Sequence, residues 1–378
     1  MKKLIWKIII AVVLAVAAVF FLFPVDIGKE MRIPNKNNSP VEISESFQYT
    51  QRIEQINGNI QRDNMLEENT KYKRIEILPV LAHDSIFGFE KTSSMAERKK
   101  ATAAINGGFF YSYGQPSGFT VIDGKLLCTA PELTNRPVFL MNQNRELKML
   151  DLNVQVTVSI GRTKLKVDGV NRSPKEHEII VFTPKYGLTT RVNGRDTFNL
   201  IAENQIISDF ASSNVEVNIP RTGLILTATG NRIKDIKSLT KYKGENIYFD
   251  YQTTPACGKI VQGLEGGFWV VKAGNKVVKT REKWVGLTTN REPRTIVGLK
   301  DKYTAVFMTV DGRQPGYSIG LTGEELADYL LSLGIRDALM LDGGASTTMV
   351  VEGKIVNRPS YRGRERMVGG AVVIKFDK

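Results

Sequence analysis

Apolar and polar positions alternate clearly from residue 72 onward. YKRIEILPV, residues 72–80, repeats every second residue, as a half-buried strand does, and ordered structure is expected to begin there. Three short branched or aromatic runs, EIIVFTP, RTGLILTATG and NIYFDYQ, follow in the middle of the chain. Gly, Pro and Asn-Gly turns separate them, which again predicts strands. A stronger apolar strand, KYTAVFMTV at 302–310, stops at Asp311. Helical patterns are scarce. Ser94 and Glu97 have capping-box spacing and predict a short helix from Ser94 to about Lys100 or Ala103. Thr322 and Glu325 form a second box ahead of LADYLLSLG, where Leu326, Tyr329, Leu330 and Leu333 share one face and Gly334 can terminate the helix. Strand patterns resume at 337–341 and in VGGAVVIKF. The order predicts α+β or mixed α/β, a strand-rich single domain with few helices and a parallel strand pair around the second helix.

A different pattern precedes residue 72. Lys2, Lys3 and Lys7 lead into an uncharged apolar run at 8–25, followed by a polar stretch rich in Asn, Gln and Glu. The run is just long enough for a helix to cross a hydrocarbon core of about 30 Å. Lysines at one end only predict a cytoplasmic N-terminus and a translocated body. A cleaved signal peptide competes with this reading, but Phe20-Phe21-Leu22-Phe23 follow the small residues and leave no clean cleavage site. The expected organisation is a cytoplasmic basic segment at 1–7, a transmembrane anchor at 8–25 and a polar stalk at 26–71, with some local helix around 46–61. A single domain fills 72–378.

Composition narrows the chemistry. A formal net charge of +13 on an exported body fits anionic lipid or anionic wall polymer. No finger, recognition-helix or stacking-sheet motif accompanies the charge, so no nucleic-acid partner is expected. Two histidines and two cysteines exclude a His-rich or Cys-rich zinc site. Cys128 and Cys257 are too far apart in sequence to establish a pair from spacing. The chain lacks a G-x-S-x-G elbow, a Walker loop and an H-E-x-x-H helix.

The informative segments are rich in glycine. AAINGGFF, GLEGGFWV and LMLDGGAS each end an apolar run in polar-Gly-Gly, and paired glycines permit turns and close approach that a Cβ would obstruct. Three such turns could converge on one crevice. Asp311 and Asp342 each follow a predicted strand, where a carboxylate can serve as acid, base, nucleophile or ligand. Arg291 and Arg294, and then Arg358, Arg362, Arg364 and Arg366, can hold phosphate through parallel hydrogen bonds or form ordinary ion pairs. Ser346, Thr347 and Thr348 either bind a polar ligand or cap backbone groups. Phe109, Phe110 and Tyr111 suit a sugar site or a core. An anionic or polyhydroxylated substrate fits this set, which does not choose the bond broken.

The segments AAINGGFF, PRTIVGL, DGRQPGYSIGLTGEELADYLLSLG, DALMLDGGASTTMV and NRPSYRGRERMVGGAVVI occur in that order, and together they resemble the phosphodiester glycosidase family over roughly residues 72–378. The resemblance implies hydrolysis of a sugar-1-phosphate diester in cell-envelope or extracellular glycans, with release of the sugar. It implies a site built from Asn106, Arg294, Asp311, Arg313, Asp342, Ser346 and Arg358, to which the reading of the hydroxyls adds Thr347 as a binding group. Asp342 or Asp311 would do acid, base or nucleophilic work, and Arg294 with Arg313 or Arg358 would hold phosphate. Asn106 and Ser346 would orient sugar or phosphate oxygens. No cofactor is required, although two carboxylates could hold a divalent cation. Together with the anchor, this implies a single-pass protein of a bacterial cell membrane with its catalytic domain extracytoplasmic. Its partner would be an anionic or phosphodiester-linked glycan such as teichoic-acid or capsular material. The alternative is a noncatalytic protein that binds anionic glycan and assists exopolysaccharide or wall assembly. Two departures from the family pattern stand out: Glu265 in the middle glycine-rich segment, and Ala345 where another glycine is usual.

Overall fold

The computed structural model describes residues 41–44, 46–131 and 136–376. The expected basic segment, the anchor and the first part of the stalk lie outside the described residues. Among the described residues, no helix is long and apolar enough to cross a membrane.

The first hairpin corrects one expectation. Residues 47–69, read as part of a polar stalk with local helix, form β1 (Phe47–Ile56) and β2 (Asn59–Asn69). Asn57 and Gly58 join them with φ of 50° and 74°, the left-handed pair that an Asn-Gly hairpin turn requires. Polar residues on the buried faces conceal the strand period. Asp63 and Asn64 are buried, yet Asp63 accepts from Arg52 and Tyr329, and Asn64 from Tyr49.

Next come β3 (Ile75–Leu81), α1 (Thr92–Arg98) and β4 (Ala103–Asn106). The predicted Ser94 cap does not form, because α1 starts two residues earlier, without a side-chain cap of its own. Its acceptor comes from far along the chain. Glu365 takes hydrogen bonds from the Ser93 amide (3.1 Å) and the Ser93 hydroxyl, placing a carboxylate at the positive helix start. The middle of the chain supplies β5 (Arg136–Asn142), β6 (Leu147–Ile160), β7 (Ile179–Phe182), β8 (Thr197–Glu203), β9 (Gly223–Thr229) and β10 (Ile247–Thr254). All three central runs predicted as strands are strands.

The last third holds β11 (Ile260–Glu265), β12 (Phe268–Lys272), β13 (Arg294–Leu299), β14 (Thr304–Val310), α2 (Gly323–Ser332), β15 (Asp337–Met340), β16 (Met349–Val351) and β17 (Gly370–Phe376). The capping box at α2 forms as read, with Thr322 and Glu325 each bonding the other's backbone amide. The parallel pair around α2 does not form. Antiparallel β13 sits between β14 and β15 and bonds to both, so the two strands run the same way without touching as partners.

Two sheets frame the site. One runs β1-β2-β14-β13-β15-β12, with short strands at its ends, and the other runs β16-β4-β17-β3. Phe47, Leu66, Phe307 and Leu339 of the first pack against Ile77, Ile105, Val372 and Ile374 of the second in one core cluster. The outer face of the first sheet meets α2 through Leu326, Ala327 and Leu330. The outer face of the second meets α1 through Met95 and Ala96. Layers therefore stack helix, sheet, sheet, helix, giving a strand-rich mixed α/β domain with few helices. β14 is buried on both faces, which accounts for its unbroken apolar run: Phe307 faces the inter-sheet core, while Val306 and Met308 face α2.

Candidate functional site

The three Gly-Gly turns converge where the two sheets end together. The Asp342 amide donates to the Gly107 carbonyl (3.1 Å), linking the end of β15 to the end of β4. The Gly267 amide donates to the Met340 carbonyl (2.8 Å), bringing in the third turn. Close backbone approach explains the glycines. A Cβ on Gly108 would stand 2.7 Å from the Glu265 carbonyl oxygen, well inside contact distance. Glu265 itself is buried beside this junction and accepts from the Phe119 amide at 3.0 Å.

Asn106 holds the junction rather than facing outward. Its Nδ2 donates to the Asp342 carbonyl (2.5 Å), and its Oδ1 accepts from the Thr295 hydroxyl and the Thr348 amide (3.0 Å each). Those bonds take both acceptor sites of its one oxygen and an amide hydrogen, the second hydrogen faces the Gly107 carbonyl (3.5 Å), and the side chain is fully buried from substrate. Thr347 belongs to the same buried network, with its hydroxyl 3.2 Å from that of Thr295. Both residues expected to bind substrate are thus engaged in fixing the 342–348 turn.

Asp342 lies on the site side of that turn. Burial pushes its carboxyl up to about 6, against the lowering pull of the Ser346 hydroxyl and the Arg366 charge. Arg366 donates to the Ser346 hydroxyl (3.2 Å), so the predicted Ser346 links a guanidinium to the carboxylate. On another side, the Arg313 guanidinium covers the turn, with Nη2 3.3 Å from where a Cβ of Gly344 would sit. Gly344 has φ of 60°, so a side chain there would be strained as well as crowded. Arg313 is also ion-paired with Glu292.

Asp311 is brought near but is closed in. The Arg358 amide donates to both of its oxygens (3.1 and 2.9 Å), Asn357 Nδ2 to Oδ1 (3.0 Å) and the Tyr317 hydroxyl to Oδ2 (3.3 Å). Burial nevertheless pushes it up to about 6. Asn357 also donates to the Thr347 carbonyl and accepts from the Met349 amide, tying Asp311 to the floor of the turn. This is the geometry of a group that positions the 357–358 loop.

Arg294 is buried beneath the turn, and its guanidinium donates to the Leu321 and Asn290 carbonyls at 2.8 Å each. Burial pulls it down to about 10. Arg358 is exposed, with its guanidinium over the Tyr317 ring. Of the late arginines, Arg366 is the one that bonds toward Asp342, and sequence spacing alone did not single it out. The adjacent Glu365, buried against α1, is the local signal for its placement. Phe109 stacks on Trp284 at 5.4 Å and belongs to a core cluster.

Cys128 and Cys257 are buried free thiols. Among the described residues, no group of three or more His, Cys, Asp or Glu side chains gathers to hold a metal ion.

Fold and site together define a strand-rich domain in which two facing sheets carry a carboxylate-and-arginine centre on a glycine-rich floor. The chain belongs to the phosphodiester glycosidase family, whose sequence pattern matches residues 186–375, half of the chain. It is 36% identical over 110 residues to the SPbeta prophage-derived uncharacterized protein YomE of Bacillus subtilis, covering 29% of this chain and 17% of that protein. Against N-acetylglucosamine-1-phosphodiester alpha-N-acetylglucosaminidase of Bos taurus, identity is 30% over 145 residues, covering 35% of this chain and 26% of the enzyme. The matches thus span less than a third of each of these relatives. Among solved structures, a hypothetical protein from Synechocystis shares the fold with a TM-score of 0.77 at 19% identity, over 91% of this chain and 64% of that one. The catalytic domain of zebrafish N-acetylglucosamine-1-phosphodiester alpha-N-acetylglucosaminidase, auto-inhibited by its pro-peptide, aligns with a TM-score of 0.51 at 15% identity, over 90% of this chain and 87% of that one.

Proposed function

We propose that the chain hydrolyses a sugar-1-phosphate diester in cell-envelope or extracellular glycans, releasing the sugar and leaving phosphate on the other partner. The observation that carries this reading is Asp342, a carboxylate at a strand end whose titration is raised to about 6, beside Arg366 and Arg313. Family membership and the enzymes named above support the choice of bond.

The bond between the anomeric carbon and the phosphate oxygen breaks, and its electron pair leaves with the phosphate. A phosphate monoester is a stable leaving group, so protonating it matters less than for an alcohol. The carboxylate is therefore needed in its ionised form, either as nucleophile at the anomeric carbon or as the base that takes a proton from water. Arg366 and Arg313 supply positive charge for the phosphoryl oxygens. Asn106, Thr347 and Asp311 act through the backbone they hold.

In this reading the domain is extracytoplasmic on a bacterial cell membrane, tethered by residues 8–25. Support comes from the lysines before that run and from the net charge of +13, which favours an anionic glycan partner. The test offers defined sugar-1-phosphate diesters and matching alkyl glycosides to the full-length chain. Free sugar from the diesters alone supports the reading. Tight binding without turnover would replace it with the noncatalytic glycan-binding reading.

A further inference from the structure

Tyr317 gathers two guanidiniums that the proposed reaction does not use. Arg62, on β2, places its guanidinium carbon 4.5 Å from the ring centroid, and Arg358 places its own at 4.8 Å. Among the described residues, neither has a carboxylate within ion-pair distance. Arg62 Nε is buried with no hydrogen-bond partner. Asp311 accepts from the Tyr317 hydroxyl and is already held by Asn357 and the Arg358 amide.

The platform is built into the fold. The Arg62 amide donates to the Ser318 hydroxyl (3.1 Å), and its carbonyl accepts from the Asp311 amide (2.9 Å). Arg62 is therefore fixed to the loop that carries Tyr317. Gln314 donates to the Arg358 carbonyl at 2.9 Å, fixing the second arginine to the same loop. Ser360, two residues on, donates to the Gly344 carbonyl at 3.4 Å, so the platform adjoins the Asp342 turn.

Two like charges directed to one aromatic ring repel each other, and a buried Nε without an acceptor costs free energy. An oxyanion offsets the repulsion between the two guanidiniums. Guanidinium planes bind phosphoryl oxygens through parallel hydrogen bonds, and the ring holds their cationic faces in place.

We propose that Arg62 and Arg358, over Tyr317, form an anion subsite that takes a second phosphoryl group of the substrate, beyond the phosphate at the cleaved bond. The substrate would then be a polyanion with repeated phosphates rather than an isolated diester. The anion subsite stands on the arginine geometry alone, whereas its use for a second substrate phosphate rests on the proposed diester hydrolysis.

Two measurements on the full-length chain test this. In calorimetry, inorganic phosphate should bind the wild type saturably, and Arg62→Gln and Arg358→Gln should each weaken that binding about tenfold. In kinetics, a sugar-1-phosphate diester whose acceptor bears a further phosphate should exceed its neutral-acceptor analogue in kcat/KM by about tenfold. Either variant should reduce that preference toward unity. Thermal unfolding checks that the variants fold, and Arg358→Gln, in an exposed loop, carries the test if Arg62→Gln does not. Phosphate binding unchanged in a folded variant would overturn the subsite. A wild type that cleaves neither diester but loses phosphate binding in the variants would sink the hydrolase reading and leave the anion subsite standing. Cleavage of both diesters at equal kcat/KM would overturn the second-phosphate assignment.

Discussion

The side-chain amide of Asn106 donates to the main-chain carbonyl of Asp342 at 2.5 Å, joining the ends of two facing sheets under the candidate catalytic carboxylate. Asn106 is fully buried and also accepts from Thr295 and Thr348, so it sets the turn that aims Asp342. Replacing it with Ala leaves the Thr348 amide and the Asp342 carbonyl without their partner, and the Thr295 hydroxyl with Thr347 alone. Asn106→Ala should lower stability by about 3 kcal/mol, the scale of several buried polar groups losing partners. It should also reduce kcat by about a hundredfold with a smaller change in KM. Thermal denaturation and steady-state kinetics check both, and wild-type values for either would refute the role.

Arg366 should tune Asp342 through charge. Its guanidinium favours the ionised carboxylate, so its removal raises the carboxyl further above its ordinary value. If Asp342 works ionised, activity should rise with pH through about 6 and then level off. In Arg366→Gln that rise should move to higher pH, by up to about one unit. A profile that keeps its midpoint would separate Arg366 from the reacting carboxylate.

Stability should depend on pH in an unusual direction. Asp63 and Asp311 are both buried and both raised to about 6 from 3.8. The folded state therefore holds more protons than the unfolded state between those values, so stability falls as pH rises through that window. Each shift corresponds to about 3 kcal/mol as an order of magnitude. Below the window the trend reverses, because Asp84, Glu90 and Asp301 are lowered by their partners and lose those contributions as they protonate. Melting temperature should peak at about pH 4, at the lower edge of that window. Asp63→Asn should flatten the decline above it, and a stability that instead rises steadily to neutral pH would contradict the assignment.

Chelation should leave hydrolysis intact. The oxygens of Asp311 already accept from two backbone or side-chain N–H groups and a phenol, and the Arg366 charge stands beside Asp342. That surrounding disfavours a second cation between the two aspartates. Rates with and without EDTA check it. Loss of activity that calcium or magnesium restores would show that a divalent ion belongs to the site.

The last third of the chain was the most legible in sequence, because its signals are local. The Thr322–Glu325 capping box, the run ending at Asp311 and the glycine pairs each reflect geometry set within a few residues. What sequence hid was set by distant partners. Asp63 and Asn64 made β2 look like stalk because their polarity is satisfied from other elements, although Asn57-Gly58 already marked a hairpin. The start of α1 follows Glu365, more than two hundred residues away, rather than the adjacent Ser94. Sequence order also suggested a β14–α2–β15 pair, since nothing local reveals that β13 occupies the space between them. In the candidate site, Asp342 and Ser346 were legible from the LDGGAS turn. The choice of Arg366 over Arg358 required the fold of the 357–366 loop.

The proposed reaction cleaves at the sugar carbon and depends on Asp342. Its most direct test is hydrolysis of a defined sugar-1-phosphate diester in heavy-oxygen water by the wild type and Asp342→Asn, with mass analysis of the phosphate product. The phosphomonoester should carry no label, and the rate should fall at least about a hundredfold in Asp342→Asn. Label in the phosphate, or an undiminished rate in the folded variant, would contradict it.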